Sequence, residues 1–320
     1  VYDIVWEYLV PLAIALLLFQ ANLRIIIRES GPVLVAFLVG SAAVVAGTLL
    51  GVSLLDLGAT EAELAGVFSG TYIGGSLNFA AVAEATQFHD GSMLAASVAA
   101  DNVVTNLHFL LIIMLPGFAW LSRYFPTRHM DSADLPDSGV IEDIHNISDL
   151  ELSGLLGGVA LAFLLTALGK LLAGYAGYPQ YSILVITLLA LAVGTLLPRQ
   201  VARLSGHTQT GNVLIFIFLA SIGATADIWV LISMAPILFV FASIIVLTHL
   251  ALLFGIGKIM RLDMAELIMA SAVCIGGPSS AAAIASAKGW RELLIPGVLA
   301  GSLGYAIGSF IGVTLAGWLR

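Results

Sequence analysis

Runs of about twenty consecutive apolar residues recur along this chain of 320 residues, and no other feature restricts its fold as strongly. A run of that length matches a helix crossing a hydrocarbon layer roughly 30 Å thick. The runs are Leu/Ile/Val/Ala blocks without the period of two that a membrane β-barrel requires. Sixty per cent of the residues are apolar and ten per cent are charged, and the mean hydropathy is +1.05. No soluble chain of this size could cover that much apolar surface with polar side chains. The expected fold is therefore an all-α integral membrane protein.

Eight segments read as ordinary crossings, at 5–23, 31–55, 92–115, 152–175, 181–197, 212–226, 229–257 and 293–317. Two further apolar segments, 62–86 and 264–287, carry Gly-Gly at their centres. Between the crossings, 118–150 is the long polar stretch, acidic and punctuated by Pro126, Pro136 and Gly139. The chain divides accordingly into a first repeat (1–121), a cytoplasmic linker (122–150) and a second repeat (151–320). The net charge of −8 arises largely from acids in that linker, and the 12 basic residues are scattered, which argues against a nucleic-acid partner. The single cysteine, Cys274, excludes an intrachain disulfide and any multi-cysteine metal site; it reads as a small packing residue beside a chain break.

The two glycine-broken segments match one another at an offset of 202 residues. IGGSLNFAAVAEA (73–85) and IGGPSSAAAIASA (275–287) share seven of thirteen positions. Four of these are alanines, but a shared Ile-Gly-Gly at one offset points to internal duplication. The helices at 5–23 and 31–55 likewise fall opposite 212–226 and 229–257. By the same offset the helices at 152–175 and 181–197 have counterparts before residue 1, so the sequence is expected to lack two N-terminal helices.

Basic residues decide between a crossing and a hairpin, because Lys and Arg collect on the cytoplasmic side. If both broken segments cross, the charges divide seven to five. If both turn back, Arg24, Arg28, Arg123, Arg128, Arg199, Arg203, Lys258, Arg261, Lys288 and Arg291 share one side, leaving only Lys170 and Arg320 on the other. Ten against two selects two re-entrant hairpins. Each complete half then has an odd number of crossings, so the halves are inverted and the tips approach near the midplane. Inverted repeats with broken helices at mid-membrane are the architecture of secondary transporters.

The tips carry the candidate substrate site: Gly74, Gly75, Ser76 and Asn78 in one half, Gly276, Gly277, Ser279 and Ser280 in the other. Glycine permits the reversal, and Pro278 suits the first turn of a returning helix. A helix N-terminus aimed into a cavity offers N–H donors and partial positive charge, which favours an anion. The bland alternative is glycine-mediated close packing without a ligand.

The helix after the first break is the most polar crossing. Asp101 lies about 13 Å past Ser92 at the helical rise, near mid-bilayer, where an ionisable group is a functional hypothesis by default. Asp101, Thr105 and His108 share one face; Asn102 and Asn106 occupy the adjacent stripe. Asp101, Asn102, Thr105 and Asn106 are the candidate ion-coupling set. Their oxygens suit a sodium ion at Asp101 and Asn102, the one cofactor expected, and a lone carboxylate can instead carry a proton. A structural aspartate bonded to neighbouring helices is the competing reading. His108 fits an interhelical hydrogen bond or a proton relay, and His249 a packed hydrogen-bonding residue. Glu84, Gln20, Asn22, Thr225 and Asp227 are weaker pathway candidates. The second-half counterpart helix offers instead Gly304, Gly308 and Gly312 at i+4, a smooth packing ridge.

YLVPLAIALLLFQANL (8–23), GTYIGGSLNFAAVAEA (70–85), ASVAADNVV (96–104) and IGGPSSAAAIASAKGW (275–290) resemble the YjcL-like family, domain of unknown function 819, over essentially the whole chain. That family is similar to the cation/proton antiporter and anion transporter group, in which a polar pair after the first broken helix binds the coupling ion. Asp101-Asn102 holds that place in reversed order, which leaves sodium and proton both open. The resemblance implies an elevator-type carrier with a homodimeric scaffold, in a bacterial cytoplasmic membrane or a plastid membrane. The expected function is ion-coupled secondary transport of a small organic anion or zwitterion, with a sodium/proton antiporter as the alternative. A structural or sensor protein is a further alternative. An intramembrane enzyme is the alternative of a different class, and it is disfavoured because only Asp101 is placed where an aspartyl protease needs two carboxylates.

Overall fold

The computed structural model describes residues 2–118, 123–129 and 152–320, and every element in it is helical. Most of the acidic stretch expected as a linker lies outside the described residues. In chain order the main elements are α1 (Tyr2–Leu18), α2 (Leu23–Glu29), α3 (Gly31–Leu54), α4 (Glu61–Gly74), α5 (Ser76–Ala85), α6 (Gly91–Met114), α7 (Leu152–Tyr175), α8 (Ser182–Leu196), α9 (His207–Ala224), α10 (Ile228–Met260), α11 (Met264–Gly276), α12 (Pro278–Lys288) and α13 (Leu294–Leu319). Six helical stretches among the described residues are long and apolar enough to cross a membrane, and a seventh span results if α1 and α2 count as one.

Two of the eight expected crossings need correction. The run at 5–23 is interrupted: Asn22 is extended (φ −115°, ψ 103°) and its side chain accepts from the N–H groups of Arg24 and Ile25. That cap starts a second helix, bent 48° from the first. The run at 212–226 belongs to α9, whose 18 residues begin with the polar turns His207–Asn212 and fall outside the six. Other boundaries follow local chemistry. Asp90 caps α6, Asp227 caps α10, and Asp263 forms a capping box with Glu266 at the start of α11.

Glycine sets the closest helix contacts. On α3, a Cβ at Gly40 would sit 2.8 Å from the His249 ring, and one at Gly47 would sit 2.9 Å from the Ile245 backbone, so α10 seats directly on α3. The seam between α4 and α13 is tighter. A Cβ on Gly66 would lie 2.8 Å from the Gly312 carbonyl, one on Gly70 3.3 Å from the Gly308 carbonyl, and one on Gly304 2.5 Å from the Ile73 carbonyl. The ridge Gly304, Gly308 and Gly312 thus meets a second ridge, Gly66, Gly70 and Gly74, running the opposite way. On the other flank α1 packs against α7, α8 and α9.

Contacts at the helix ends sort the charges. One end of the bundle holds Tyr2, Trp6 and Glu7 with His89, Asp227 and Lys170; the Trp6 and His89 rings lie 4.5 Å apart and Lys170 Nζ donates to the Glu7 carbonyl at 2.7 Å. Arg320 joins this end through Glu63. At the opposite end of α13, His129 approaches Glu292 at 3.3 Å. There the 123–129 segment is docked: Phe125 is buried, the Met264 N–H donates to the Pro126 carbonyl, and the Arg128 N–H donates to Asp263 at 2.7 Å.

Candidate functional site

The chain breaks at Gly75 and Gly277 because each takes a backbone conformation that only glycine adopts readily, φ +82°, ψ −176° and φ +76°, ψ −170°. Around each break the flanking helices lie side by side. A Cβ on Gly66 or Gly70 would touch Val82 across the first break. In the second, Ser280 Oγ donates to the Ala272 carbonyl at 2.7 Å, eight residues away along the chain. None of α4, α5, α11 or α12 exceeds 14 residues, about 21 Å at the helical rise.

The two breaks touch each other. A Cβ on Gly75 would sit 3.3 Å from the Gly276 carbonyl carbon and the Gly277 nitrogen, and one on Gly277 would sit 3.3 Å from the Gly74 carbonyl. Helix α13 backs both breaks. Gly301 lies against Pro278, Gly304 against Ile73 and Gly74, and Tyr305 against Gly277.

The tip residues expected from sequence divide into two kinds. Ser76 and Ser279 are exposed, whereas Asn78 and Ser280, at equivalent places in the two segments, are buried. Asn78 Nδ2 donates to the Gly304 carbonyl at 3.0 Å, leaving its Oδ1 buried with no partner. Ser280 donates to backbone carbonyls of its own segment, Ala272 and Gly277. Pro278 occupies the first turn of α12, as expected.

The proposed ion set divides too. Asp101 is partly buried and accepts from Thr105 Oγ1 at 3.0 Å. The Tyr72 phenol of α4, three residues before the first break, lies against this carboxylate without a well-formed hydrogen bond. Asn102 and Asn106 are turned away from it and exposed, alongside Val103, Leu107 and Leu110, and Asn106 Nδ2 donates to the Asn102 carbonyl at 2.7 Å. Asp101 and Thr105 are thus brought together; the two asparagine side chains are not brought to them. Among the described residues no group of three or more His, Cys, Asp or Glu side chains is placed to hold a metal.

Sequence reading missed Tyr72 and Ser271. Ser271 of α11 links His108 Nε2 (2.8 Å) and His249 Nε2 (3.0 Å), while His249 Nδ1 faces the Gly40 carbonyl at 3.0 Å. Both histidines are buried, so the packed reading of His249 holds and His108 makes an interhelical bond. Cys274 is buried against Phe37 and Ser41. Glu84 pairs with His89 at 3.0 Å near the surface. The Gly66, Gly70, Gly74 ridge was present in the sequence as a fourfold spacing, but only its partner on α13 gives it meaning.

Long apolar helices with lipid-facing Leu, Ile and Phe and buried small-residue seams define a multi-pass α-helical membrane protein. The chain belongs to the family described as "Protein of unknown function (DUF819)", whose model matches residues 1–320. It is 36% identical over 331 aligned positions to the "Uncharacterized membrane protein YjcL" of Bacillus subtilis (strain 168), covering 99% of this chain and 83% of that protein.

Proposed function

We propose that this protein is an ion-coupled secondary transporter of a small organic anion or zwitterion, its substrate held where the two breaks meet and its coupling ion at Asp101. The reading treats 62–86 and 264–287 as re-entrant hairpins entering from opposite faces, and residues 1–121 and 151–320 as inverted repeats. One observation carries it: a single side chain joins the two ends of each broken segment. Arg320 binds Glu63 at 2.8 Å and the Thr86 carbonyl at 2.8 Å, at the start and finish of the first. His129 lies 3.6 Å from Glu266 and 3.3 Å from Glu292, at the start and just past the finish of the second. These clasps sit at opposite ends of α13, whose 26 residues span about 39 Å at the helical rise. A segment that leaves and returns at one end, with its tip against another from the far end, is the binding geometry of inverted-repeat carriers.

Asp101 belongs to this reading because its neighbour Tyr72 lies in the arm that leads into the first break. Sodium and proton are both compatible with a carboxylate and hydroxyl pair. The supporting geometry is chemical as well as topological: Asn78 Oδ1 is a buried acceptor beside the meeting point that the protein leaves unfilled, and it suits the ammonium of a zwitterion, since an ionised carboxylate has no proton to give it. The elevator mechanism, a homodimeric scaffold and a role other than an enzyme's form part of the same proposal.

Flux in proteoliposomes tests it. Uptake of a labelled organic acid or amino acid driven by a sodium or proton gradient is the expected result. Exchange of sodium for protons with no organic solute would select the antiporter instead, with Asp101 as the exchanging carboxylate. Gradient-independent uptake would remove the ion coupling, and no flux with any solute or ion would remove the transport reading.

A further inference from the structure

The His108, Ser271, His249 chain fixes the chemistry of a second site, between α6 and α10 and apart from the tips. Its direction follows from one carbonyl. The Gly40 carbonyl can only accept, so neutral His249 carries its proton on Nδ1 and presents a lone pair at Nε2. Ser271 has one hydroxyl proton, which goes to that lone pair. His108 Nε2 must then be the N–H that donates to Ser271 Oγ at 2.8 Å. The remaining His108 nitrogen, Nδ1, is therefore an acceptor, and it is buried with no partner in the protein.

His108 also lines a cavity of about 140 Å³. The walls are Val104, Leu107 and Leu111 of α6 with Val246, Leu247 and Leu250 of α10, and Ser243 is its other polar residue. An apolar cavity of about 150 Å³ is large enough to hold benzene. Leu107 is 53% exposed and Leu247 60% exposed on the outer surface of the bundle, so the cavity opens on the side that faces hydrocarbon. A carboxylate has no donor for Nδ1 and would lose its hydration against these walls. A saturated acyl chain would fill the space but leave the lone pair unmet.

We propose that this cavity binds a small neutral amphiphile of about benzene size that enters from the bilayer, displaces the side chains that cover His108 Nδ1 and donates one O–H or N–H to that nitrogen. Through Ser271 the bound molecule is in hydrogen-bond contact with α11, the arm that leads to the second break. This site does not depend on the transport reading.

Phenol and anisole, alike in shape but differing in the donor, are the probes. In the purified full chain with ¹⁵N-labelled histidine, His108 is expected as the Nε2–H form and His249 as the Nδ1–H form. Phenol should shift the His108 Nδ1 resonance and raise thermal stability. Anisole should bind about tenfold more weakly, the order a neutral hydrogen bond contributes. His108→Phe should erase the phenol preference, and Leu247→Trp, which fills the cavity from its open side and leaves the hydrogen-bond chain untouched, should erase binding of both probes. Equal binding of the two probes to the wild-type chain, no phenol binding, or His108 protonated on Nδ1 in the free protein would each overturn the proposal.

Discussion

The two broken segments share a backbone and differ in what surrounds it. Both turn at a glycine with φ near +80° and both carry Ile-Gly-Gly. At the first, Asn78 reaches out of its own segment to the Gly304 carbonyl, and Tyr72 of the same segment lies against the Asp101 carboxylate. At the second, Ser280 is satisfied within its own segment, and the neighbouring polar chemistry is the neutral histidine and serine chain around Ser271. The same backbone break is thus a geometric device equipped differently at its two occurrences. The first break is tied to its surroundings and sits by a charge; the second is self-contained.

The largest test of that contrast strikes what the breaks share. Gly304→Leu would place a side chain where a Cβ already meets Ile73 and Gly74, and it should cost about 3 kcal/mol or more; loss of a monodisperse peak in size-exclusion chromatography would show it. Next comes Asp101→Asn, which keeps the shape at the first break and removes its charge. Ion-driven uptake should fall at least about tenfold, within the range of ordinary coupling energies, and the ion dependence of thermal stability should vanish while the melting temperature without ions changes little. Unchanged ion response would detach Asp101 from coupling.

Smaller effects separate the two arms. Asn78→Ala leaves the Gly304 carbonyl without its side-chain donor and should destabilise by about 1–3 kcal/mol. Ser280→Ala removes bonds made inside one segment, between α12 and α11 and within the turn, breaks no bond to any other segment, and should cost about 1 kcal/mol; equal costs measured by thermal unfolding would erase the distinction. The smallest change is Tyr72→Phe, whose hydroxyl has no hydrogen bond. Stability should move by no more than about 0.5 kcal/mol, while the concentration of ion needed for half-maximal stabilisation shifts.

Much of the helical layout was legible because apolar runs and glycine breaks are local signals. The helices part at the two Gly-Gly pairs, and Pro278 sits one residue past its break. The break after Leu18 escaped because Asn22 acts by folding its side chain onto the next turn, which an apolar count does not see. The site was legible in part. Periodicity separated Asp101 and Thr105 from Asn102 and Asn106, but it does not say which stripe a helix turns inward. Tyr72 and Ser271 were hidden for a related reason: each gains its role from a residue on another helix, dozens of positions away.

The facing glycine ridges on α4 and α13 have a mechanical consequence. Interlocked side chains resist sliding because each knob must climb out of its hole, whereas a seam whose surfaces are Cα atoms and carbonyl oxygens has almost no relief to climb. Such a seam holds two helices close by dispersion yet offers little friction along its length. Beside it, the hydrogen bond from Asn78 of α5 to the Gly304 carbonyl acts as a detent on that rail.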